Sequence, residues 1–268
     1  MKKFKLAAAA LALSVHLPMA MAHGIWIEPS STVLSKTGYV TVSAAAGNDK
    51  FVYNHAPLRG AAENFSATAP DGSKVAMENF MQGKLRTVFD LNLTQSGTYR
   101  LTVVNRGIMA SWKEGGQTKR FRGNAESFAK DVPLNGEALT VNESFGRLET
   151  FVTVGKPTPV KVTGEGLELL PLTPPNDLFA GEAATFQLLV DGKPAADAEI
   201  EIQRGGSRYR NQLGEVKLKA DAEGKFSYTW PEAGLYWLDA DFKDGKTSVK
   251  QAKERRLSYI ATFEVLPQ

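Results

Sequence analysis

"VFDLNLTQSGTYRLTVVN" (Val88–Asn105) and "KFSYTWPEAGLYWLDADF" (Lys225–Phe242) follow one plan at two distant places in the chain. Each is an alternating run, then a turn, then Gly-x-Tyr-x-Leu: Gly97, Tyr99 and Leu101 in the first, Gly234, Tyr236 and Leu238 in the second. Alternation with period two puts every second side chain on one face, which is the pattern of a half-buried strand. A turn glycine with a tyrosine two residues later matches the late hairpin of an Ig-like sandwich, where the tyrosine packs at the corner. Two such hairpins predict an all-β chain with two Ig-like sandwiches.

The surrounding sequence agrees with that reading. "YVTVSAAAG" from Tyr39, "KLRTVFDLNL" from Lys84 and "LETFVTV" from Leu148 read as strands of the first half. "LELLPL", "ATFQLLVDGKP", "AEIEIQRGG", "GEVKLKADAEGKFSYTW" and "LSYIATFEVLP" do the same in the second. Asp-Gly at Asp71, Asp191 and Asp244 and the Ala222-Glu223-Gly224 turn mark tight connections. One helix is expected, in "KRFRGNAESFAKDV" (Lys119–Val132), with Phe121, Ala125 and Phe128 on a common face. The Gly-, Pro- and Thr-rich "VGKPTPVKVTGEG" separates the halves, which gives a first domain over 23–160 and a second over 166–268.

Residues 1–22 have the three parts of a secretory signal: Lys2, Lys3 and Lys5, an apolar run from Leu6 to Leu17, and small residues at Ala20 and Ala22. The apolar run is shorter than the roughly 20 residues a membrane span needs. Cleavage after Ala22 makes His23 the first residue of the mature protein and the periplasm its expected location. The signal takes three lysines and no acid from a chain of 32 basic and 29 acidic residues, so the mature chain is formally neutral. The basic character of the whole chain therefore gives no support for nucleic acid or an anionic membrane as a partner. With no cysteine, disulfides and thiolate metal sites are excluded.

Three stretches carry a resemblance to a known family: "HGIWIEPS" from His23, "LELLPLTPPNDLFAGEAATFQLLVDGKPAADAEIEI" from Leu167, and "DAEGKFSYTWPEAGLYWLDADF" from Asp221. They resemble a bacterial periplasmic family of unknown function associated with nickel uptake, the nickel-uptake substrate-specific region. The resemblance covers most of the mature chain and implies a signal peptide, an N-terminal domain opening on the histidine stretch, and an Ig-like C-terminal domain similar to carboxypeptidase-regulatory and collagen-adhesin modules. It also implies a divalent metal as ligand and a transporter component of the inner membrane as partner.

The position of His23 has chemistry of its own. An N-terminal histidine offers its α-amine and imidazole Nδ1 as a chelating pair, and the amine binds its proton weakly enough at neutral pH for a metal to displace it. A second imidazole completes the three-nitrogen arrangement known as a histidine brace, and His55 in "FVYNHAP" is the other histidine of the mature chain. Tetragonal nitrogen sites suit copper or nickel. Glu28 and Asp49, with Glu63 as a further candidate, are the carboxylates nearest in sequence. The competing reading makes His23 a frayed terminus and His55 a hydrogen-bonded turn residue. Trp26, between Ile25 and Ile27, reads as core, as do the scattered Met77, Met81 and Met109.

Nucleophile elbows, phosphate loops and dinucleotide fingerprints are missing from the sequence. Three classes of function remain. The expected one is a non-enzymatic periplasmic protein that binds nickel or copper for uptake or homeostasis. The others are an envelope scaffold without chemistry and a copper-dependent oxidase of polysaccharides.

Overall fold

The computed structural model describes residues 24–60 and 62–268. His23 and the expected signal peptide lie outside them. No helix among the described residues is long and apolar enough to cross a membrane.

One long sheet runs through the molecule and is covered on opposite faces by two smaller ones. Its strands lie in the order Val216–Lys219, Glu199–Arg204, Gly234–Asp244, Arg255–Val265, Glu137–Val154, Gly97–Glu114, Phe65–Thr68 and Lys74–Val75. The first covering sheet orders Gly24–Pro29, Gly38–Gly47, Thr87–Leu93 and Met77–Gln82. The second is built on Leu167–Pro171 and Ala183–Val190, with Lys225–Thr229 paired to the latter. Segment 155–166, where the sequence thins into Gly, Pro and Thr, contains no strand.

The two halves of the chain meet where Glu143–Thr150 pairs with Arg255–Thr262. This ladder is parallel, whereas the other long ladders of the sheet are antiparallel. Alternation along these strands sorts their side chains between two cores. Leu257, Tyr259, Ala261 and Phe263 join the core under the second covering sheet, while Ile260 joins the core under the first. Likewise Phe151 faces one core and Leu148 and Val152 the other. Each half is thus an Ig-like sandwich, and the two share a sheet.

Both Gly-x-Tyr-x-Leu motifs form tyrosine corners. Tyr99 donates to Gln95 O at 3.1 Å and Tyr236 donates to Glu232 O at 2.8 Å, in each case four residues upstream. The preceding glycines have φ of +125° and +139°, a backbone region in which a side chain is strained. Asp191 and Gly192 both have positive φ, as a two-residue hairpin turn with the twist of its strands requires.

The helical expectation for Lys119–Val132 is half corrected. Gln117–Gly123 is a strand, joined to Gly97–Glu114 through Gly115-Gly116, both at positive φ, and only Ala125–Asp131 is helical. The helix begins where Asn124 and Ser127 cap each other's backbone amides. Phe121 and Phe128 still meet edge to face at 6.0 Å, but from two different elements. The methionines also differ from expectation. Met77 packs partly against the first core, whereas Met81 and Met109 are exposed. Met77 and Met81 stand on an edge strand whose register shifts between Glu78 and Met81, with Asn79 at positive φ.

Candidate functional site at the end of the first strand

The strand Gly24–Pro29 is the edge of the first covering sheet and is laid against the other half of the molecule. Gly24 pairs with Gly47. Trp237 Nε1 donates to Ile25 O at 2.9 Å, and Lys50 Nζ sits 4.3 Å from the centroid of the Trp237 ring. Small residues make this fit possible. A Cβ on Gly24 would collide with the Lys50 side chain, and one on Gly47 would come 3.3 Å from the Trp26 ring and 3.6 Å from His55 Cβ. Trp26 is fully buried, with Phe51 and Tyr53 edge-on to it at 6.0 and 5.9 Å, so it belongs to the core as its sequence setting implies.

The metal-ligand candidates separate into two groups. His55 is exposed in the loop that packs on Gly47, opposite Gly24. Asp49 lies in the same loop, half-buried, and accepts a hydrogen bond from Ser207 Oγ at 3.1 Å, which ties the two halves together. Glu28 stands four residues along an extended strand from Gly24, a distance of about 13 Å. Its carboxylate accepts a hydrogen bond from the Tyr53 hydroxyl. Burial raises the Glu28 pKa against the opposing effects of that bond and of Arg86, and burial and Glu28 together push the Tyr53 hydroxyl up. Nearness in sequence to His23 therefore does not make Glu28 a neighbour of that end of the strand. Glu63 is exposed on the separate 3-10 turn Ala62–Asn64. Among the described residues no three His, Asp or Glu side chains are grouped to hold a metal ion, so a centre here needs a ligand from before Gly24.

Lys50, Trp237 and Ser207 shape this site and were not legible as site residues. Lys50 is buried beside Gly24, and burial lowers its pKa while Glu201, Asp239, Glu215 and Asp49 draw it back up. Its acidic neighbours come largely from the second half of the chain, as do Trp237 and Ser207. Only the fold brings them within reach.

The cores, the paired tyrosine corners and the stacked sheets define an Ig-like β-sandwich protein. Within that class the chain belongs to the family described as Domain of unknown function (DUF4198), whose profile matches residues 20–244. No curated protein matches it. Among solved structures, the Yersinia pseudotuberculosis adhesin InvE is 13% identical, covering 90% of this chain and 60% of its own, with a TM-score of 0.23. The D0–D1 domain of intimin is 12% identical, covering 88% and 96%, with a TM-score of 0.22. The Escherichia coli adhesin FdeC is 15% identical, covering 91% and 63%, with a TM-score of 0.23.

Proposed function

We propose that this is an exported, periplasmic carrier of a divalent transition metal, nickel or copper, which it holds at the N-terminal end of its first strand without turning over a substrate. The observation that carries the reading is the packing of His55 on Gly47, the residue paired with Gly24. Gly24 pairs with Gly47, and antiparallel partners lie about 4.5–5.5 Å apart, so the described start of the strand and His55 flank one point of the sheet edge, and a ligand supplied from residue 23 would have His55 within reach in this reading. A chelating His23 with His55 would supply the three nitrogens of a brace, and Asp49 in the same loop is the carboxylate that remains available to complete coordination. Glu28 is no longer a ligand in this reading, because Tyr53 holds it farther along the strand. The ligand set suits copper or nickel and is created only when the signal is removed. A role beside a nickel-uptake transporter of the inner membrane follows from the family resemblance.

The test is a calorimetric titration of Cu(II) and Ni(II) into protein whose N-terminus has been verified as His23 by intact mass. One ion per chain is expected. A one-residue N-terminal extension and, separately, His55→Ala should each weaken binding by about tenfold or more, the loss of one charge-assisted ligand bond. Unchanged affinity in both variants would overturn the proposal.

A further inference from the structure

The side of the shared sheet next to the first strand carries an array of charge in its second half. On that face Lys219, Glu199 and Asp241 form one cross-strand row, and Lys217, Glu201 and Asp239 form the next. In each row a glutamate is paired directly with an aspartate, an arrangement that destabilises a sheet when nothing answers it. The edge lysines answer the glutamates, and Lys219 Nζ lies 3.9 Å from Glu199 Oε1. The aspartates of the inner strand have no such neighbour in their rows. They line a trough of about 610 Å³ bounded by the two rows.

Asp239 makes this more than an acidic surface. Asp239 is half-buried where it lines the trough, and its Oδ1 is buried with no hydrogen-bond partner among the described residues. Lys50 is the cation that acts on it, but the Lys50 ammonium is placed over the Trp237 ring. An unsatisfied buried carboxylate oxygen is costly unless something arrives to pair with it. Asp241 is the next residue on the same face, two positions along the strand and therefore about 6.8 Å away.

We propose that this trough binds a linear diamine, with one ammonium group seated at Asp239 and the other at Asp241. A saturated chain of roughly four methylenes spans the distance between the two carboxylates. A single ammonium satisfies only one of them. A metal ion fits less well, because the described carboxylates are not grouped to ligate one. Ammonium donors need only hydrogen-bond distance and charge, which the two separated aspartates provide.

Proton release gives a signature that general attraction to an acidic surface lacks. Burial, with Asp241 and Glu201 adding to it and Lys50 opposing, raises the Asp239 pKa to about 7. Burial and Glu199 raise that of Asp241, with Lys243 opposing. An arriving ammonium favours the ionised carboxylate, so binding at pH 7 expels a proton and tightens from pH 6 to pH 8. Lys217 faces Glu201 in the same row.

The experiment titrates 1,4-diaminobutane, butylamine and magnesium chloride separately into the full protein by calorimetry, at pH 7, in two buffers of different ionisation enthalpy. The expected result is one diamine per chain, bound at least about tenfold more tightly than butylamine, with proton release. Asp239→Asn and Asp241→Asn should each weaken it about tenfold, and Asp239→Asn should abolish most of the proton release. A melting curve for each variant verifies that it is folded, and the exposed-side Asp241→Asn keeps the test decisive if Asp239→Asn is not. Equal affinity for diamine and monoamine, tighter binding of magnesium at these residues, or undiminished diamine binding in folded Asp241→Asn protein would overturn the proposal.

Discussion

Replacing Arg147 with methionine should destabilise the protein far more than an ordinary surface arginine would. Arg147 is 4% exposed and points from the shared sheet between two carboxylates that are themselves buried, Glu149 and Glu168. Its Nη1 lies 3.3 Å from Glu149 Oε1 and its Nη2 3.6 Å from Glu168 Oε1, while Nη2 also donates to Thr163 Oγ1 and Glu165 O. Glu149 keeps Thr102 and Tyr259 as donors, and Glu168 keeps the amides of Thr163, Gly164 and Glu165. What methionine cannot replace is the positive charge between them. Removing one partner of a buried pair costs about 3–5 kcal/mol, a large part of the roughly 5–15 kcal/mol that holds a domain folded. At about 2–4 °C per kcal/mol for a chain of this size, the melting temperature should fall by roughly 6–20 °C. Differential scanning calorimetry with urea unfolding measures it, and Arg100→Met provides the comparison, since Arg100 reaches Glu149 only at 3.8 Å from a less buried position. A loss below about 1 kcal/mol for Arg147→Met would refute the claim that this arginine neutralises both carboxylates.

Other perturbations test the frame and the site. Gly97→Ala forces a side chain into positive φ and to within 2.8 Å of Pro70, and Gly234→Ala does so at φ +139°, so each should cost about 1–3 kcal/mol in urea unfolding. Tyr236→Phe, which removes the hydrogen bond to Glu232 O, should cost about 1 kcal/mol, and Tyr99→Phe about twice that, because the Tyr99 hydroxyl both donates to Gln95 O and accepts from Gln95 N–H. Asp239→Asn should change the pH dependence of stability. Because its folded pKa is raised to about 7 from an ordinary 3.8, the native state holds the extra proton between those values and wild-type stability falls as pH rises through the window. The variant should therefore gain on wild type in melting temperature from pH 4 to pH 7 and hold that gain above it; a difference independent of pH would contradict the assignment. Trp237→Phe keeps the ring under Lys50 but leaves Ile25 O without its donor, so hydrogen exchange at residues 24–27 should accelerate and Cu(II) affinity should fall. Unaltered exchange there would show that this bond does not hold the first strand.

The parts of the fold visible in the sequence were those decided by local rules. Gly97-Tyr99 and Gly234-Tyr236 announced two corners because the left-handed glycine, the alternation and the tyrosine lie within a few residues of one another. Asp191-Gly192 announced a hairpin for the same reason. Lys119–Gly123 misled because Phe121 and Phe128 fit a helical face by spacing, while the Gly115-Gly116 turn that makes the first of them a strand residue lies upstream of that window. The parallel ladder between Glu143–Thr150 and Arg255–Thr262 left no local trace, since alternation assigns a strand's side chains to faces but does not name the strand it pairs with. The site was legible to a similar extent. His55 and Asp49 could be proposed from residue type, but Lys50, Trp237 and Asp239 acquire their roles only from contacts across the two halves. Glu28, expected beside His55 and Asp49, is instead paired with Tyr53 farther along the strand, because adjacency along an extended strand is separation in space.

The shared sheet explains why the candidate sites lie where they do. Were the halves independent sandwiches joined by a linker, the edge strand Gly24–Pro29 would end in solvent, and its terminus would be free to fray. Here Trp237 binds the backbone of Ile25, Ser207 binds Asp49, and Gly205 is without a side chain where one would meet Phe51 at 2.7 Å. All three second-half residues come from Glu199–Arg204, Gly234–Asp244 or the loop that follows the former, the same pair of strands that carries the aspartate trough. The strand Gly24–Pro29 is thus held by the side of the second sandwich that its own core does not use. Lys50 lies between the two sites, close to Gly24 on one side and acting on Asp239 on the other. A cation entering either site raises the positive potential at Lys50, so the two proposed ligands should oppose one another by repulsion. Reciprocity then requires that saturating diamine weaken Cu(II) binding by the same factor by which Cu(II) weakens diamine binding, and that Lys50→Met leave that factor nearer to one only if the lysine, rather than direct repulsion between the ligands, transmits it.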